Sequence, residues 1–501
     1  MSTLRRQVVA NYAGQGWAAL MGFAFLPLYI HQLGLEAFGL IGFFTVAQAW
    51  LVLFDFGLTP TLTRELARRA TGERSAEFIC DLVRSLEMLY AAIGIALFAV
   101  LWLAAVPIGH AWLQLGSLDP EQAYAALRMM AFVLAARWVE QVYRGALQGL
   151  QEQVWLNTTH ALLASARWGG SFVVLEVGSG TLFSFFAWQA IVSVVTVALL
   201  TLRTHTKLPR ISRSPRYDNQ VLRQVGHFAG GVFLATFLGV LLTQGDKLIL
   251  SRLLSLDQFG AYMLASSATA ALTQLIVPMN AAVFPHFSSL TRPADREALV
   301  GVYRSSYEWL SALVIPPALV LAFFPAEVMT AWTGDSALAV SVAPLLRVLA
   351  LGTLCNGFMN VPYMLQLANG WTSLVLCINI VAVAIFFPAL FWLIGRYGAL
   401  GAAYAWLSLN AAYVLVTAHL MHRRLLPGEK GRWYSHAIGR PLLAGAGVAG
   451  VLRFTVSAPG PRLESLALVA LALLAVAVSV LATMPQVRES IQRRLSSTPI
   501  T

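Results

Sequence analysis

Leu33-Gly34-Leu35-Glu36-Ala37-Phe38-Gly39 returns far downstream as Leu254-Ser255-Leu256-Asp257-Gln258-Phe259-Gly260. In both copies an apolar run ends and the chain turns tightly. An acidic residue then opens the next apolar run, where a carboxylate suits a helix N-terminus. A second pair marks the start of each half, Asn11-Tyr12-Ala13-Gly14 and His227-Phe228-Ala229-Gly230. The chain therefore reads as an internal duplication.

The runs on either side of these turns are long enough to cross a bilayer, at about 20 residues each. They recur from Val8 to Met484 and predict about 14 membrane helices, at 9–31, 36–58, 84–107, 123–148, 154–177, 180–202, 225–251, 257–284, 306–326, 338–365, 371–394, 398–421, 437–456 and 464–484. Basic residues gather in every second gap. One set of gaps holds Arg5 and Arg6, then Arg64, Arg68, Arg69, Arg74 and Arg84, then Arg203, Lys207, Arg210, Arg213, Arg216 and Arg223. Arg292, Arg296 and Arg304 follow, then Arg423, Arg424, Lys430 and Arg432, and finally Arg488, Arg493 and Arg494. The opposite gaps hold only Arg252, Arg396 and Arg462. Alternation of this kind predicts cytoplasmic termini under the positive-inside rule.

An all-α, polytopic membrane fold follows. Its expected parts are a six-helix lobe (1–205), a cytoplasmic linker (206–224), a second six-helix lobe (225–424), two further transmembrane helices (437–484) and a cytoplasmic tail (485–501). Because each lobe holds an even number of spans, the repeat is parallel, and its pseudo-two-fold axis is expected along the membrane normal. Thr59 to Phe78 carries Leu62, Leu66 and Phe78 among arginines and suits a basic amphipathic helix on the inner surface.

Composition excludes other classes. A chain 58% hydrophobic and 11% charged is no soluble globular protein of 501 residues. The net charge of +11 lies in short loops, where it reports topology and anionic lipid, not nucleic acid. Cys80, Cys355 and Cys377 show neither disulfide nor metal-ligand spacing. No signal-peptide cleavage site follows the first apolar run, which reads as a retained helix. No cofactor is expected.

Charges at membrane depth cost about 2.5–3.5 kcal/mol each on insertion scales and call for a partner or a wet cavity. In the fourth span Arg137, Glu140, Gln141, Arg144 and Gln148 share one helical face. Arg167 lies near the middle of the antiparallel fifth span, at similar depth to Arg137. One glutamate can neutralise only one of the three arginines, which predicts a positive patch inside the first half. Span two adds Gln48 and Asp55, and span ten adds Arg347. Span seven carries Thr236, Thr243 and Lys247 with Asp246; that acid–base pair suits either an interfacial ion pair or a site. The Ser266, Thr269, Thr273 and Asn280 stripe of span eight reads as helix packing.

Three stretches resemble one family: Leu33 to Gly39; Asp55-Phe56-Gly57-Leu58 running to Arg64-Glu65-Leu66-Ala67-Arg68; and Asp246-Lys247-Leu248-Ile249-Leu250 leading into Leu254 to Gly260. The chain resembles the polysaccharide-exporter branch of the multidrug/oligosaccharidyl-lipid/polysaccharide superfamily. That branch includes Wzx-type O-antigen flippases and is more distantly similar to lipid II flippases and MATE antiporters. The resemblance implies a bacterial inner-membrane flippase with a cationic cavity for an undecaprenyl-pyrophosphate-linked oligosaccharide, the repeat unit of an O-antigen or exopolysaccharide. It also implies contact with membrane lipid and with polysaccharide assembly proteins. Asp55, Arg64, Asp246 and Lys247 match recurring family positions, whereas Arg137, Arg144, Arg167 and Arg347 rest on the cost of burying charge.

The expected activity is transport, not catalysis. No Gly-x-x-x-x-Gly-Lys-Ser/Thr loop occurs, so ATP is not the direct drive. A proton or sodium gradient is expected instead, with Asp55, Asp246 and Glu140 as candidate coupling acids. Two rival readings stand: a MATE-like small-molecule or cation antiporter, which would favour an acidic cavity, and a membrane glycosyltransferase or polymerase, which would need a large outer loop.

Overall fold

The computed structural model describes residues 2–70, 72–178, 180–292, 295–455 and 460–489. Arg493 and Arg494 lie outside the described residues, as do the side chains of Arg5, Arg6 and the His227–Gly230 repeat. The chain divides into two compact units, 1–260 and 261–501.

The first unit contains α1 (Ser2–Leu33), α2 (Leu35–Leu51), α3 (Leu58–Ala70), α4 (Ala76–Pro107), α5 (Pro120–Gly149), α6 (Gln153–Val177), α7 (Leu182–Lys207), α8 (Asn219–Leu253) and the first turn of α9 (Leu256–Ser289). Caps fix where these helices start. Ser75 accepts from the Phe78 amide, Asp119 precedes Pro120 and accepts from the Glu121 amide, and Thr181 and Ser184 form a reciprocal capping box. Between α2 and α3 the backbone enters the left-handed region twice in succession, at Phe56 (φ 48°) and Gly57 (φ 77°). That turn redirects the chain into α3, whose Leu62 and Leu66 are buried in a core with Ile79, Leu82, Tyr90 and Trp138. Tyr90 and Trp138 stack at 4.8 Å, and the indole donates to the Tyr90 carbonyl at 3.1 Å.

The two copies of the repeat touch. A Cβ on Gly39 would lie 2.2 Å from the Leu256 carbonyl oxygen, and one on Gly260 would lie 2.5 Å from the Leu35 carbonyl oxygen. The contact is reciprocal, and each copy needs glycine where the other's backbone passes. Glu36 does more than open α2: its carboxylate accepts the amides of Gly116, Ser117 and Leu118 at 2.6, 2.9 and 3.1 Å, so it organises the α4–α5 loop. The segment ahead of α8 is likewise tied down. Arg213 pairs with buried Asp81 on α4, and the Asp218 amide donates to Ser85 at 2.8 Å.

The second unit continues α9 and adds α10 (Arg296–Phe323), α11 (Pro325–Thr333), α12 (Ser336–Phe358), α13 (Asn360–Ala368), α14 (Thr372–Tyr397), α15 (Ala399–Ala412), α16 (Ala418–Arg424), α17 (Lys430–Trp433), α18 (Arg440–Thr455) and α19 (Arg462–Ala482). A wide π-helical turn at Tyr413–Thr417 joins α15 to α16. The Tyr434 hydroxyl donates to the Val414 carbonyl of that turn at 2.7 Å. Asn356 donates to Asn410 and Asn280 to Asn360, both at 2.8 Å, which pairs amides across helices where hydrocarbon offers no partner. The C-terminal pair α18 and α19 packs on α10 and α11.

The structure is thus an all-α membrane fold. Among the described residues, eleven helices are long and apolar enough to cross a bilayer. Three more, α5, α6 and α8, have 30, 25 and 35 residues; α5 and α8 carry the buried acids Glu140 and Asp246, and α6 the half-buried Arg167. Fourteen crossing segments are consistent with this arrangement.

Candidate functional site

α5 delivers Arg137, Gln141, Arg144 and Gln148 to one wall at helical spacing, with Glu140 beside them. α6 faces it with His160 and Arg167, α2 supplies Gln48 and Leu51, the turn after it Val52, and α3 Thr59. Together these residues line a cavity of about 370 Å³ inside the first unit. Arg137 lies roughly 18 Å along α5 from its end at Gly149, and Arg167 roughly 21 Å along α6 from its start at Gln153, at 1.5 Å per residue. Both are thus far into a hydrocarbon layer about 30 Å thick.

Their partners decide what the cavity can hold. Arg137 donates to Gln48 and, at 3.3 Å, to Gln189, and lies 5.1 Å over the Phe44 ring. Gln189 is oriented in turn by donating to Ser171 at 3.2 Å. Neutral amides thus fix this guanidinium without cancelling its charge. Arg144 meets Glu140 at 3.4 Å. Among the described residues Arg167 has no carboxylate within ion-pair distance, and the Nε atoms of Arg137 and Arg167 are buried without hydrogen-bond partners. Three arginines against one glutamate leave two uncompensated positive charges. Such a site suits an anion, and the planar fork of arginine suits phosphate oxygens.

The structure brings together Arg137, Glu140, Arg144 and Arg167 and leaves the other sequence candidates elsewhere. Asp55 sits just behind the wall: its carboxylate accepts from the Tyr90 hydroxyl and from the Thr59 amide at 3.2 Å, and so caps α3. Arg64 pairs with Glu65 at 2.7 Å. Glu65 is fully buried and also held by Arg74 at 2.6 Å. Burial pushes this carboxyl up, but the hydrogen bonds from Arg64 and Arg74 outweigh it and hold the group below its ordinary value. Lys247 donates to the Thr243 carbonyl at 2.7 Å and lies 3.6 Å from Asp246. Arg347, in the second unit, donates to the Ala322 carbonyl at 3.0 Å.

Sequence reasoning missed His160, Gln189 and Thr59 as parts of the site or its support. His160 carried a usable signal, since it stands seven residues before Arg167 on the same helical face. Gln189 carried none, because its link to Arg137 is tertiary. Among the described residues no group of three or more His, Cys, Asp or Glu is placed to hold a metal ion.

Fold and site define a polytopic helical membrane protein with a cationic cavity at membrane depth. The sequence profile of the polysaccharide biosynthesis protein family matches residues 4–291, and the chain belongs to that family. Two relatives are provisionally named O-antigen transporters. One, from Shigella flexneri, is 19% identical over 81% of this chain and 94% of its own length. The other, from Escherichia coli K12, is 22% identical over 57% of this chain and 65% of its own. Among solved structures, the lipid II flippase MurJ in an inward closed conformation aligns with a TM-score of 0.68 at 13% identity, over 94% of this chain and 97% of that one. An inward-facing multidrug resistance MATE family transporter aligns with a TM-score of 0.66 at 14% identity, over 83% and 96%. The resemblance read from the sequence is borne out at the level of family and fold.

Proposed function

We propose that this protein is a flippase that carries a lipid-linked oligosaccharide across the bacterial inner membrane, with both termini in the cytoplasm. The observation that carries the reading is the cavity, in which three arginines, two of them at membrane depth, face one glutamate. A pyrophosphate diester bears two negative charges, which matches the two uncompensated positive charges of the lining. Membership of a polysaccharide biosynthesis family and relatives named as O-antigen transporters support a sugar-bearing substrate. An undecaprenyl-pyrophosphate-linked O-antigen or exopolysaccharide repeat unit combines these features. Its lipid tail would stay in the bilayer while the head group crosses through the protein.

In this reading the repeats 1–205 and 225–424, joined by 206–224, open alternately to either side, and the protein does no chemistry on its cargo. An imposed proton or sodium gradient supplies the drive, with Asp55, Asp246 or Glu140 as the coupling acid. A MATE-like export of cations shares the fold, but the excess of arginine in the cavity disfavours a cationic cargo.

The test is surface polysaccharide in cells whose sole copy carries Arg137→Ala, Arg167→Ala or both. The double variant should abolish polymer while the protein remains in the membrane, and Arg→Lys should rescue in part, because a point charge replaces a fork. Normal polymer from the double alanine variant would refute the role.

A further inference from the structure

We propose that Glu140 is a resident counter-anion, which occupies Arg144 while the cavity is empty and gives it up to the incoming anion. This rests on reading the cavity as the anion-carrying site of the flippase.

The first ground is how loosely Glu140 is held compared with Glu65, Glu152 and Asp81, the clasped acids of the same unit. Glu65 is held by Arg64 at 2.7 Å and Arg74 at 2.6 Å. Glu152 is held by Arg203 at 2.6 Å and Lys207 at 2.8 Å. Asp81 takes both Arg213 nitrogens, at 2.9 and 2.5 Å, and the Arg216 amide at 2.8 Å. Glu140 meets Arg144 through one contact of 3.4 Å between neighbouring turns of one helix. The former are structural clasps with two donors each, whereas the latter is a pair that a ligand oxygen can replace.

The second ground is the asymmetry of exposure. The Arg144 side chain is 40% exposed and that of Glu140 only 8%. The arginine is therefore free to turn toward a ligand while the acid stays buried in the wall.

The third ground is electrostatic. Three arginines in one cavity, two of them at membrane depth, would be costly with no anion, and Glu140 offsets one of them in the empty state. Once a phosphate takes the Arg144 fork, Glu140 faces it as a like charge. Binding is then weaker than three arginines alone would give. A carrier needs this, because its cargo must leave as well as enter, as ions must in a channel.

The experiment is calorimetric titration of the detergent-solubilised full chain with inorganic pyrophosphate. Glu140→Gln should bind about tenfold tighter than the parent or better, since it removes a like charge within a few ångströms of the ligand. Arg144→Ala should bind about tenfold weaker or worse, because it loses a fork and leaves Glu140 unopposed. The double variant Glu140→Gln/Arg144→Ala has the same net cavity charge as the parent, and so serves even where the single variant does not fold. It should recover to within about threefold of the parent.

A Glu140→Gln protein that binds pyrophosphate no tighter, or a double variant no better than Arg144→Ala, would overturn the proposal. A merely structural Glu140 would weaken binding when replaced. The substrate reading fails separately. If the parent binds pyrophosphate and Glu140→Gln binds it tighter, yet lipid-linked oligosaccharide is not moved, the counter-anion stands and the flippase reading falls.

Discussion

At the scale of single residues, the charges separate into those that hold the fold together and those that are left available. Glu65 belongs to the first kind, a buried carboxylate between Arg64 and Arg74 on the amphipathic helix α3. Its proton affinity is lower in the folded protein than in the unfolded chain, so it stabilises the fold at pH above its ordinary value near 4.5. That contribution is lost as pH falls through the depressed folded value. The melting temperature of the solubilised parent should therefore drop on acidification below this range, and Glu65→Gln should melt lower at neutral pH with a flatter acid limb. A variant with the parent's neutral melting temperature would show that the clasp adds nothing. Arg137 belongs to the second kind, fixed by Gln48 and Gln189 but not neutralised. The Arg137, Glu140 and Arg144 face was legible in the sequence because helical spacing alone groups it, and Arg167 because an antiparallel neighbour shares its depth. The engagement of Arg64 was not, because it depends on Arg74 returning from the following loop.

At the scale of elements, the repeat that announces the fold also explains a contact. Leu33–Gly39 and Leu254–Gly260 were legible as equivalent turns, but their sequences do not say that they meet. In the structure Gly39 and Gly260 each admit the other copy's backbone. Gly39→Ala would place a carbon 2.2 Å from the Leu256 carbonyl, and the two hairpins would have to part. We expect a loss of about 1–3 kcal/mol, the usual cost of overpacking, read as a lower melting temperature. Gly301→Ala serves as the control, a helical glycine with open space around it and no unusual backbone conformation. If Gly39→Ala costs no more than that control, the close approach is not rigid. Glu36 gives the same lesson: its place in the first turn of α2 was legible, but its service to the amides of Gly116, Ser117 and Leu118 depends on a loop about 80 residues away.

At the scale of the whole molecule, hydropathy and alternating charge were enough to give an all-α membrane fold, because hydrocarbon permits few other solutions. The spans that carry the proposed function are among the three that composition alone does not mark as crossing segments. α5 and α6 hold the arginines and are absent from the most hydrophobic set of helices, so the feature that blurs them as spans marks them as the site. The central claim is that this cationic cavity moves a pyrophosphate-linked head group across the membrane. The most direct measurement reconstitutes the parent and Arg137→Ala/Arg167→Ala in vesicles loaded with undecaprenyl-pyrophosphate-linked oligosaccharide and follows its appearance on the opposite leaflet. The parent should raise the rate well above protein-free vesicles, and the double variant should fall back to that background. A parent no faster than empty vesicles, or a double variant as fast as the parent, would contradict the account.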